Sequence, residues 1–308
     1  MSVAMPRIVS LLPGATEIIA ALGATDALVG RSHECDFPSH VAALPVCTAL
    51  KRPLSGDSAA LHRDITALIE QALGIYRVDA DLLKALKPDV IITQSQCEVC
   101  AVSEGDLRAA LGDWLGTPPE VVSLSPATIV DVAESFRTIA TAIGRPADGD
   151  VLADSLLLRI ADLRMRTASL VDHPRVATIE WIEPLMTAGN WVPELIEVAG
   201  GVSLFGTAGE HSPWLDWEAF VASDPDVVVA MPCGFDLERA ATEMARLAER
   251  NSWNELRAVC AGRAAVVDGN RYFNRPGPRL ADSAEILAEI FHPAVFDFGH
   301  RGDGWRWL

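Results

Sequence analysis

A short pattern that occurs twice restricts the folds open to this chain. Lys87-Pro88-Asp89-Val90 and Asp224-Pro225-Asp226-Val227 each place a proline and an aspartate directly before an apolar run. Proline disfavours helix in the residue before it, and a short apolar run between turn residues is typical of a buried strand. One helix–Pro-Asp–strand unit in each half of the 308-residue chain therefore predicts two similar α/β lobes.

Cysteine-bearing loops follow both of these predicted strands. Cys97 and Cys100 come after the first strand, and Cys233 comes after the second. In open α/β sheets ligands bind outside the carboxyl ends of the strands. We therefore expect the two loops to face each other across one cleft.

The charge of the chain excludes some classes of partner. It carries 42 acidic and 25 basic residues, which gives a formal net charge of −17. A nucleic-acid-binding domain needs a basic footprint, and recruitment to an anionic membrane needs clustered lysine or arginine. We therefore expect neither nucleic acid nor a membrane surface as a partner.

The first residues bear on the cellular compartment. Residues 1–7 show no basic segment followed by an apolar run and a cleavage site, and no stretch is long and apolar enough to predict a membrane span. We expect a cytoplasmic protein, or a periplasmic one if the chain was trimmed. In a reducing compartment its six cysteines are expected to be reduced thiols, metal ligands or redox groups rather than structural disulfides.

The order of predicted elements divides the chain into three parts. Residues 1–147 form an N-terminal lobe, residues 148–172 a connecting helix and residues 173–308 a C-terminal lobe. Apolar residues recur at helical spacing from Asp148 to about Val171, before the break at His173-Pro174. A single long helix between two α/β units predicts a stiff connector.

Several motifs occur in the order that is typical of one protein family. They are Ile8-Val9-Ser10-Leu11 with Thr16-Glu17, the first Pro-Asp unit, Trp191-Val192-Pro193-Glu194 with Gly200-Gly201, the second Pro-Asp unit, and Phe273-Asn274-Arg275-Pro276. Over residues 7–292 the chain resembles the cobalamin and iron-siderophore substrate-binding proteins of ABC importers. The resemblance implies an α/β fold of the class III periplasmic-binding-protein type. Its two three-layer lobes have central, mostly parallel sheets and are joined by one long helix.

The cobalamin branch of that family is the most similar. Its members carry an aromatic–polar–Arg turn before the last helix, as in Phe273-Asn274-Arg275, and a Pro-Trp pair, here Pro213-Trp214. The resemblance implies a corrinoid ligand and an ABC transporter permease as partner. It also implies that the permease docks on one acidic residue of each lobe, and Asp81 and Glu218 fall at about those positions.

Aromatic and basic side chains near the predicted cleft are candidate ligand contacts. Aromatic faces bury much area against flat macrocycles, and a guanidinium binds carboxylates, amide carbonyls or phosphates. An imidazole can coordinate the cobalt of a corrinoid. The candidates are Trp181, Trp191, His211, Trp214, Phe273 and Arg275. The alternatives are ordinary core packing for the tryptophans and a salt bridge for Arg275.

Thiols and imidazoles near the same strand ends are candidate metal ligands. Thiolate and imidazole suit zinc, copper or an iron–sulfur centre. The candidates are His33, Cys35, Cys97, Cys100 and Cys233. Two alternatives stay open: these cysteines are small buried hydrophobes, or Cys97 and Cys100 form a redox pair. Cys47 and Cys260 are expected to be ordinary structural cysteines.

Three functional hypotheses follow. The first is a binding protein, not an enzyme, that holds a corrinoid or a related metal chelate between its lobes. The second is a cytosolic protein that binds zinc or iron through the cysteines and histidines of the cleft. The third is a cleft enzyme, a hydrolase or thiol redox protein, that pairs Cys97 or Cys233 with His33 or His211.

Overall fold

A computed structural model describes residues 5–70, 75–95, 104–112, 114 and 117–308. In chain order its regular elements are β1 (Ile8–Ser10), α1 (Pro13–Ala21), β2 (Leu28–Arg31), β3 (Thr48–Leu50), α2 (Ser58–Glu70), β4 (Tyr76–Val78), α3 (Ala80–Leu86), β5 (Val90–Gln94), α4 (Glu104–Leu111), β6 (Glu120–Leu124), α5 (Ile129–Ala142), α6 (Pro146–Ala168), β7 (Arg175–Ile179), α7 (Val192–Val198), β8 (Val202–Ser203), α8 (Trp217–Ser223), β9 (Val227–Ala230), α9 (Leu237–Leu247), α10 (Arg257–Cys260), β10 (Ala264–Val267), α11 (Leu280–Phe291) and β11 (Trp305–Trp307). In the described part of the chain, no helix combines the length and apolar character needed to cross a bilayer.

The chain divides into two compact units. Unit 1 comprises Met1–Ser55, Arg63–Pro126 and Asp131–Ser155, and unit 2 comprises Gly56–His62, Ala127–Val130 and Leu156–Leu308. Each unit is built on its own central sheet. The predicted α/β class with mostly parallel sheets is confirmed.

The sheet of unit 1 has the strand order β2-β1-β5-β6, and all of its pairings are parallel. Successive residues of a strand point to opposite faces, yet Ile8, Val9, Ile91 and Ile92 are all fully buried. The sheet is therefore covered on both sides, which explains why its central strands are continuous apolar runs without alternation. A separate antiparallel pair, β3 with β4, completes this unit.

The sheet of unit 2 has the strand order β11-β10-β9-β7-β8. Its pairings are parallel except that β11 runs antiparallel to β10. The buried indole of Trp305 in β11 donates a hydrogen bond to Glu289 of α11. This bond ties the last strand, which the sequence left unassigned, to the body of the unit.

The repeated Pro-Asp units have the same helix caps. The carboxylate of Asp79 accepts a hydrogen bond from the Leu82 backbone N–H at the start of α3. The carboxylate of Asp216 accepts one from the Ala219 N–H at the start of α8. Each bond satisfies one of the backbone donors that a helix N-terminus leaves open. Both helices are seven residues long, so the two units match residue for residue.

The ends of these helices also match. Lys87 and Asp224 cap them in the left-handed region, with φ of 47° and 38°. The aspartate after each proline then bonds the neighbouring strand: Asp89 Oδ2 accepts from the Arg7 N–H at 2.7 Å, and Asp226 Oδ2 from the Arg175 N–H at 2.9 Å. The aspartate of the motif therefore fixes the strand that begins beside it.

The long connecting helix is present as α6. It begins at Pro146, two residues before the predicted start, because proline is favoured in the first turn of a helix and does not break it there. It ends at Ala168, before the predicted limit at 172. The lobe boundaries at 147 and 173 stay predictions.

Unit 2 takes in two short segments from the first half of the chain. In Gly56–His62, Asp57 forms an ion pair with Arg246, and the Ser58 N–H donates to Glu243 at 3.3 Å. In Ala127–Val130, the Ile129 N–H donates to Glu194 at 2.7 Å. The carboxylate of Glu194 thus caps the N-terminus of α5.

Candidate ligand-binding site

Three loops of unit 2 leave one edge of its sheet. They follow β7, β9 and β10, which are adjacent and parallel, so their carboxyl ends lie side by side. The Cys233 N–H donates to the Glu180 carbonyl at 3.0 Å and links the loops after β9 and β7. This edge is where open α/β sheets bind ligands.

Trp181 presents an aromatic surface at this edge. Its side chain is half-buried, and its indole N–H donates to the Glu183 carbonyl at 3.1 Å. Its ring lies 5.6 Å from that of Phe235, tilted by 55°. The ring is therefore held in place from one side while part of it stays accessible, as a wall for a flat apolar ligand requires.

Trp191 and Phe273 lie deeper than the sequence analysis expected. Trp191 is 6% exposed and Phe273 is 1% exposed. The Trp191 indole N–H donates to the Phe273 carbonyl at 3.2 Å. This bond ties Trp191 to the first residue of the Phe273-Asn274-Arg275 turn, and direct contact of either ring with a ligand stays a prediction.

Polar groups of that turn are held by the loops around it. Arg275 is 7% exposed and donates to the Asn270 side-chain carbonyl at 3.2 Å. The Asn274 side-chain carbonyl accepts from the Gly234 N–H at 3.2 Å, and the Asn270 N–H donates to the Phe235 carbonyl at 3.0 Å. These bonds leave the Asn274 amide group half-exposed in a fixed position.

An acidic side chain, Asp268, precedes this turn. Its carboxylate accepts a hydrogen bond from the Arg271 N–H at 2.7 Å. Burial raises the pKa of Asp268, although the charges of Arg271 and Arg275 oppose the shift. The Asp268 side chain is therefore poorly hydrated, and the positive charge of Arg275 acts on it.

His211 and Trp214 lie on the exposed loop between β8 and α8. Trp214 is 59% exposed, and its ring meets that of His62 edge-on at 5.3 Å. His211 Nδ1 lies 3.0 Å from the Ser212 carbonyl, so this nitrogen carries the proton. The loop runs so close to Gly189 that a Cβ there would lie 2.6 Å from the Ser212 nitrogen, which only glycine avoids.

The edge of unit 1 carries His33, which follows β2. The ring is half-buried, and its Nδ1 lies 2.8 Å from the hydroxyl of Thr48. The same hydroxyl accepts the His33 backbone N–H at 3.0 Å and donates to Ser32 at 3.1 Å. Burial, with the charge of Arg31, lowers the pKa of His33, so the imidazole is neutral near pH 7.

The cysteines divide into different environments. Cys35 is 1% exposed, and its sulfur accepts from the Thr16 hydroxyl at 3.0 Å. Burial raises the pKa of the Cys47 thiol to about 11, which keeps it protonated as an ordinary core thiol. Cys233 is half-buried at the carboxyl edge of unit 2. Cys260 is exposed.

The metal-site prediction has no support from the residues described. Cys97 and Cys100 lie outside the described residues. Within the described ranges, no group of three histidine, cysteine or acidic side chains is placed to hold a metal ion. Cys97, Cys100 and Cys233 as joint ligands stay a prediction, and nothing supports zinc.

Sequence reasoning missed the residues that position these groups. Thr48 and Ser32 hold His33, while Asn270 and Phe235 hold Arg275 and Trp181. None of these four residues belongs to a recognisable sequence motif. Only their position just after or beside a predicted strand indicated that they could lie near a site.

Comparison with known proteins settles the family. The family model for periplasmic binding proteins matches residues 8–270. The chain belongs to this family. Its members are substrate-binding proteins rather than enzymes, which confirms both the resemblance and the non-enzymatic prediction for this binding protein.

Relatives of this binding protein include an ABC transporter substrate-binding lipoprotein and a vitamin B12-binding protein. An uncharacterized ABC transporter substrate-binding lipoprotein of Bacillus subtilis, YvrC, is 24% identical over 94% of this chain and 81% of its own length. A vitamin B12-binding protein of Vibrio cholerae is 27% identical over 91% of this chain and 86% of its own length.

A solved structure shows the same fold. The periplasmic heme-binding protein RhuT of Roseiflexus superposes with a TM-score of 0.70 at 22% identity, over 95% of this chain and all of its own. The cytoplasmic location expected from residues 1–7 finds no support, because YvrC is named a lipoprotein and RhuT a periplasmic protein.

Proposed function

We propose that this binding protein holds a corrinoid and presents it to an ABC importer. The observation that carries the proposal is the similarity to the vitamin B12-binding protein across nine-tenths of the chain. The haem-binding neighbour, at 22% identity, supports the fold alone. The sequence similarity therefore favours a corrinoid over haem.

The chemistry of the unit 2 edge supports this ligand class. A corrinoid combines a flat macrocycle with amide side chains around its rim. Trp181 offers an accessible aromatic face, while Asn274 and Arg275 offer amide and guanidinium groups in fixed positions. Large apolar contact with a few placed polar anchors is the usual design of a small-molecule site. No covalent chemistry is required.

We propose a permease contact at Asp81 and Glu218. Both are exposed, and both occupy the second position of their helices, α3 and α8. Since the two Pro-Asp units match residue for residue, these carboxylates are equivalent points on the two units. A pair of equivalent acids suits a partner with one basic site for each unit.

Calorimetric titration tests the ligand. The purified protein, cleared of any bound chromophore, is titrated with cyanocobalamin and separately with hemin. We expect saturable binding of cyanocobalamin with a dissociation constant below micromolar, and weaker or no binding of hemin. No heat with cyanocobalamin at high micromolar concentration would overturn the corrinoid proposal.

Haem is the second candidate. RhuT, which is named a haem-binding protein, shares the fold of this chain, so the same titration tests hemin beside cyanocobalamin. Tight hemin binding without cyanocobalamin binding in the same titration would favour it. The metal-store and thiol-enzyme hypotheses gain no support from any comparison.

A further inference from the structure

The Trp181 ring is held at two points within unit 2. Its indole N–H donates to the Glu183 carbonyl at 3.1 Å, and its ring lies 5.6 Å from that of Phe235. Phe235 is 2% exposed, and the guanidinium carbon of Arg239 lies 3.8 Å from the centre of its ring. Because the phenyl ring is enclosed on both sides, the bond to Glu183 decides how the half-exposed indole is turned against it.

Glu183 lies near the tip of a backbone hairpin that follows β7. The hairpin closes where the Trp181 N–H donates to the Met186 carbonyl at 3.2 Å and the Met186 N–H donates to the Trp181 carbonyl at 3.0 Å. Ile182 and Leu185, on either side of the tip, are buried in the core of unit 2. The Glu183 side chain is 47% exposed, so its position depends on the group that it meets at the surface.

That group is the guanidinium of Arg250, just after the end of α9. It forms an ion pair with Glu183 Oε2, and its central carbon lies 5.1 Å over the ring of Trp217. The Trp217 indole N–H donates to the Asn251 carbonyl at 3.3 Å, and its ring stacks on that of buried Phe220 at 5.4 Å. Arg250 is therefore supported by a fixed aromatic ring on one side and bonds Glu183 with the other.

The energy of this ion pair differs from its effect on position. A pair between partly exposed groups contributes little to the stability of a fold, so a chain without it should still fold. The pair nevertheless holds the residue whose carbonyl binds the Trp181 indole. Without Arg250, the Glu183 carboxylate would turn toward water and the peptide that holds the indole would lose its outer support.

We propose that Arg250 is a positioning residue for the aromatic wall formed by Trp181. It acts through Glu183 and not by contact with the ligand. The inference rests on the proposed function and adds a residue that determines ligand affinity from outside the site.

A double-mutant cycle with cyanocobalamin tests this role. We expect Arg250→Ala to weaken binding about threefold and Trp181→Ala about tenfold. The double variant should lose about tenfold, since without the indole the arginine has nothing to position. Arg250→Lys, which keeps the positive charge, should retain most of the affinity. A loss of about thirtyfold in the double variant would show independent effects and overturn the inference.

Arg246→Ala is the matched control. Arg246 lies one helical turn before Arg250, within α9, and its ion pair is with Asp57 of unit 2. The substitution makes the same change in net charge but touches neither Glu183 nor Trp181. We expect it to leave the cyanocobalamin affinity unchanged. Equal weakening by Arg246→Ala and Arg250→Ala would reveal a general charge effect and overturn the inference.

A measurement without ligand tests the geometry directly. Fluorine-19 NMR of protein labelled with 5-fluorotryptophan gives a signal for Trp181, identified by its loss in Trp181→Phe. Arg250→Ala and Glu183→Gln should both shift this signal and leave that of buried Trp305 in place. An unshifted Trp181 signal in both variants would overturn the inference even if corrinoid binds.

The two proposals fail in different ways. A wild-type protein that binds no cyanocobalamin would overturn the proposed function, and with it the effect of Arg250 on affinity. Normal wild-type binding with additive effects in the cycle would overturn the role of Arg250 alone. If Arg250→Ala does not fold, Glu183→Gln carries the same cycle with Trp181→Ala, because it also removes the ion pair.

Discussion

At the scale of single residues, the candidate site depends on side chains fixed by their neighbours. The Trp181 indole is bonded to the Glu183 carbonyl and packed on Phe235, so little rotamer freedom is lost when a ligand covers it. Arg275 is held in the same way by Asn270. Preorganised contacts of this kind raise affinity by lowering the entropy lost on binding.

Replacing Trp181 tests the aromatic wall. We expect Trp181→Ala to weaken cyanocobalamin binding about tenfold, since loss of a partial aromatic contact costs about 1.4 kcal/mol. Trp181→Phe should retain most of the affinity. Calorimetry measures both variants, with circular dichroism to show that they fold. Unchanged affinity of the alanine variant would remove Trp181 from the site.

Residue types in the sequence indicated the site only in part. The aromatic–Asn–Arg turn predicted polar groups at the edge, and Asn274 and Arg275 lie there. The same reasoning could not tell that Trp191 and Phe273 turn inward, because an aromatic residue near a strand end suits core and wall equally. Thr48 could not be linked to His33, since pairing of β3 with β4 and packing on β2 place it there.

At the scale of elements, the repeated Pro-Asp unit was the most predictable feature. Proline and aspartate specify the end of a helix, and the apolar run after them specifies a buried strand, all within a few residues. The structure adds the N-terminal caps, Asp79 and Asp216, which the sequence analysis did not identify. Local signals therefore predicted the element order, while the start of α6 was misjudged at Pro146.

Removing one cap tests the role of this unit. We expect Asp216→Ala to lower the free energy of unfolding by about 1 kcal/mol, because the Ala219 N–H loses its acceptor. Glu218→Ala, two residues along the same helix, leaves that bond intact and should cost less. Urea denaturation followed by tryptophan fluorescence measures both. Equal losses would show that Asp216 acts only through its charge.

The contact between α6, α11 and the C-terminal segment predicts a pH dependence. Glu285 accepts from His300 at 3.2 Å and from Arg159 at 2.7 Å. Hydrogen bonding to Glu285 raises the pKa of His300 above 6.5, so the protonated imidazole stabilises the folded state. That contribution is complete below pH 6.5 and is lost as the pH rises through the raised pKa.

The variant His300→Gln should remove this dependence. We expect the difference in unfolding free energy between wild type and variant to be larger at pH 6 than at pH 8.5. Urea denaturation at the two pH values measures it. His40→Gln, on an exposed turn, should show no such difference. A constant difference for His300→Gln would mean that the Glu285 pair is not charged in the folded protein.

At the scale of the whole molecule, the proposed permease contact uses one acidic residue of each unit, Asp81 and Glu218. We expect Asp81→Lys combined with Glu218→Lys to leave cyanocobalamin affinity unchanged and to reduce corrinoid uptake by the importer at least tenfold. Asp26→Lys with Glu255→Lys makes the same change in net charge at exposed positions, one in each unit, and serves as the control. Uptake into cells that depend on this chain measures both. Normal corrinoid uptake with the Asp81→Lys, Glu218→Lys double variant would show that the permease docks elsewhere on this protein.

Unit 2 is built from three separate stretches of the chain, and this has a practical consequence for expressing it alone. Two of its segments, Gly56–His62 and Ala127–Val130, precede the main stretch Leu156–Leu308 in the chain. A gene fragment encoding residues 156–308 would leave Glu194 without the Ile129 N–H, and Arg246 without Asp57. No single cut in the gene therefore separates the units, and moving unit 2 intact into a relative requires transplanting all three of its stretches together.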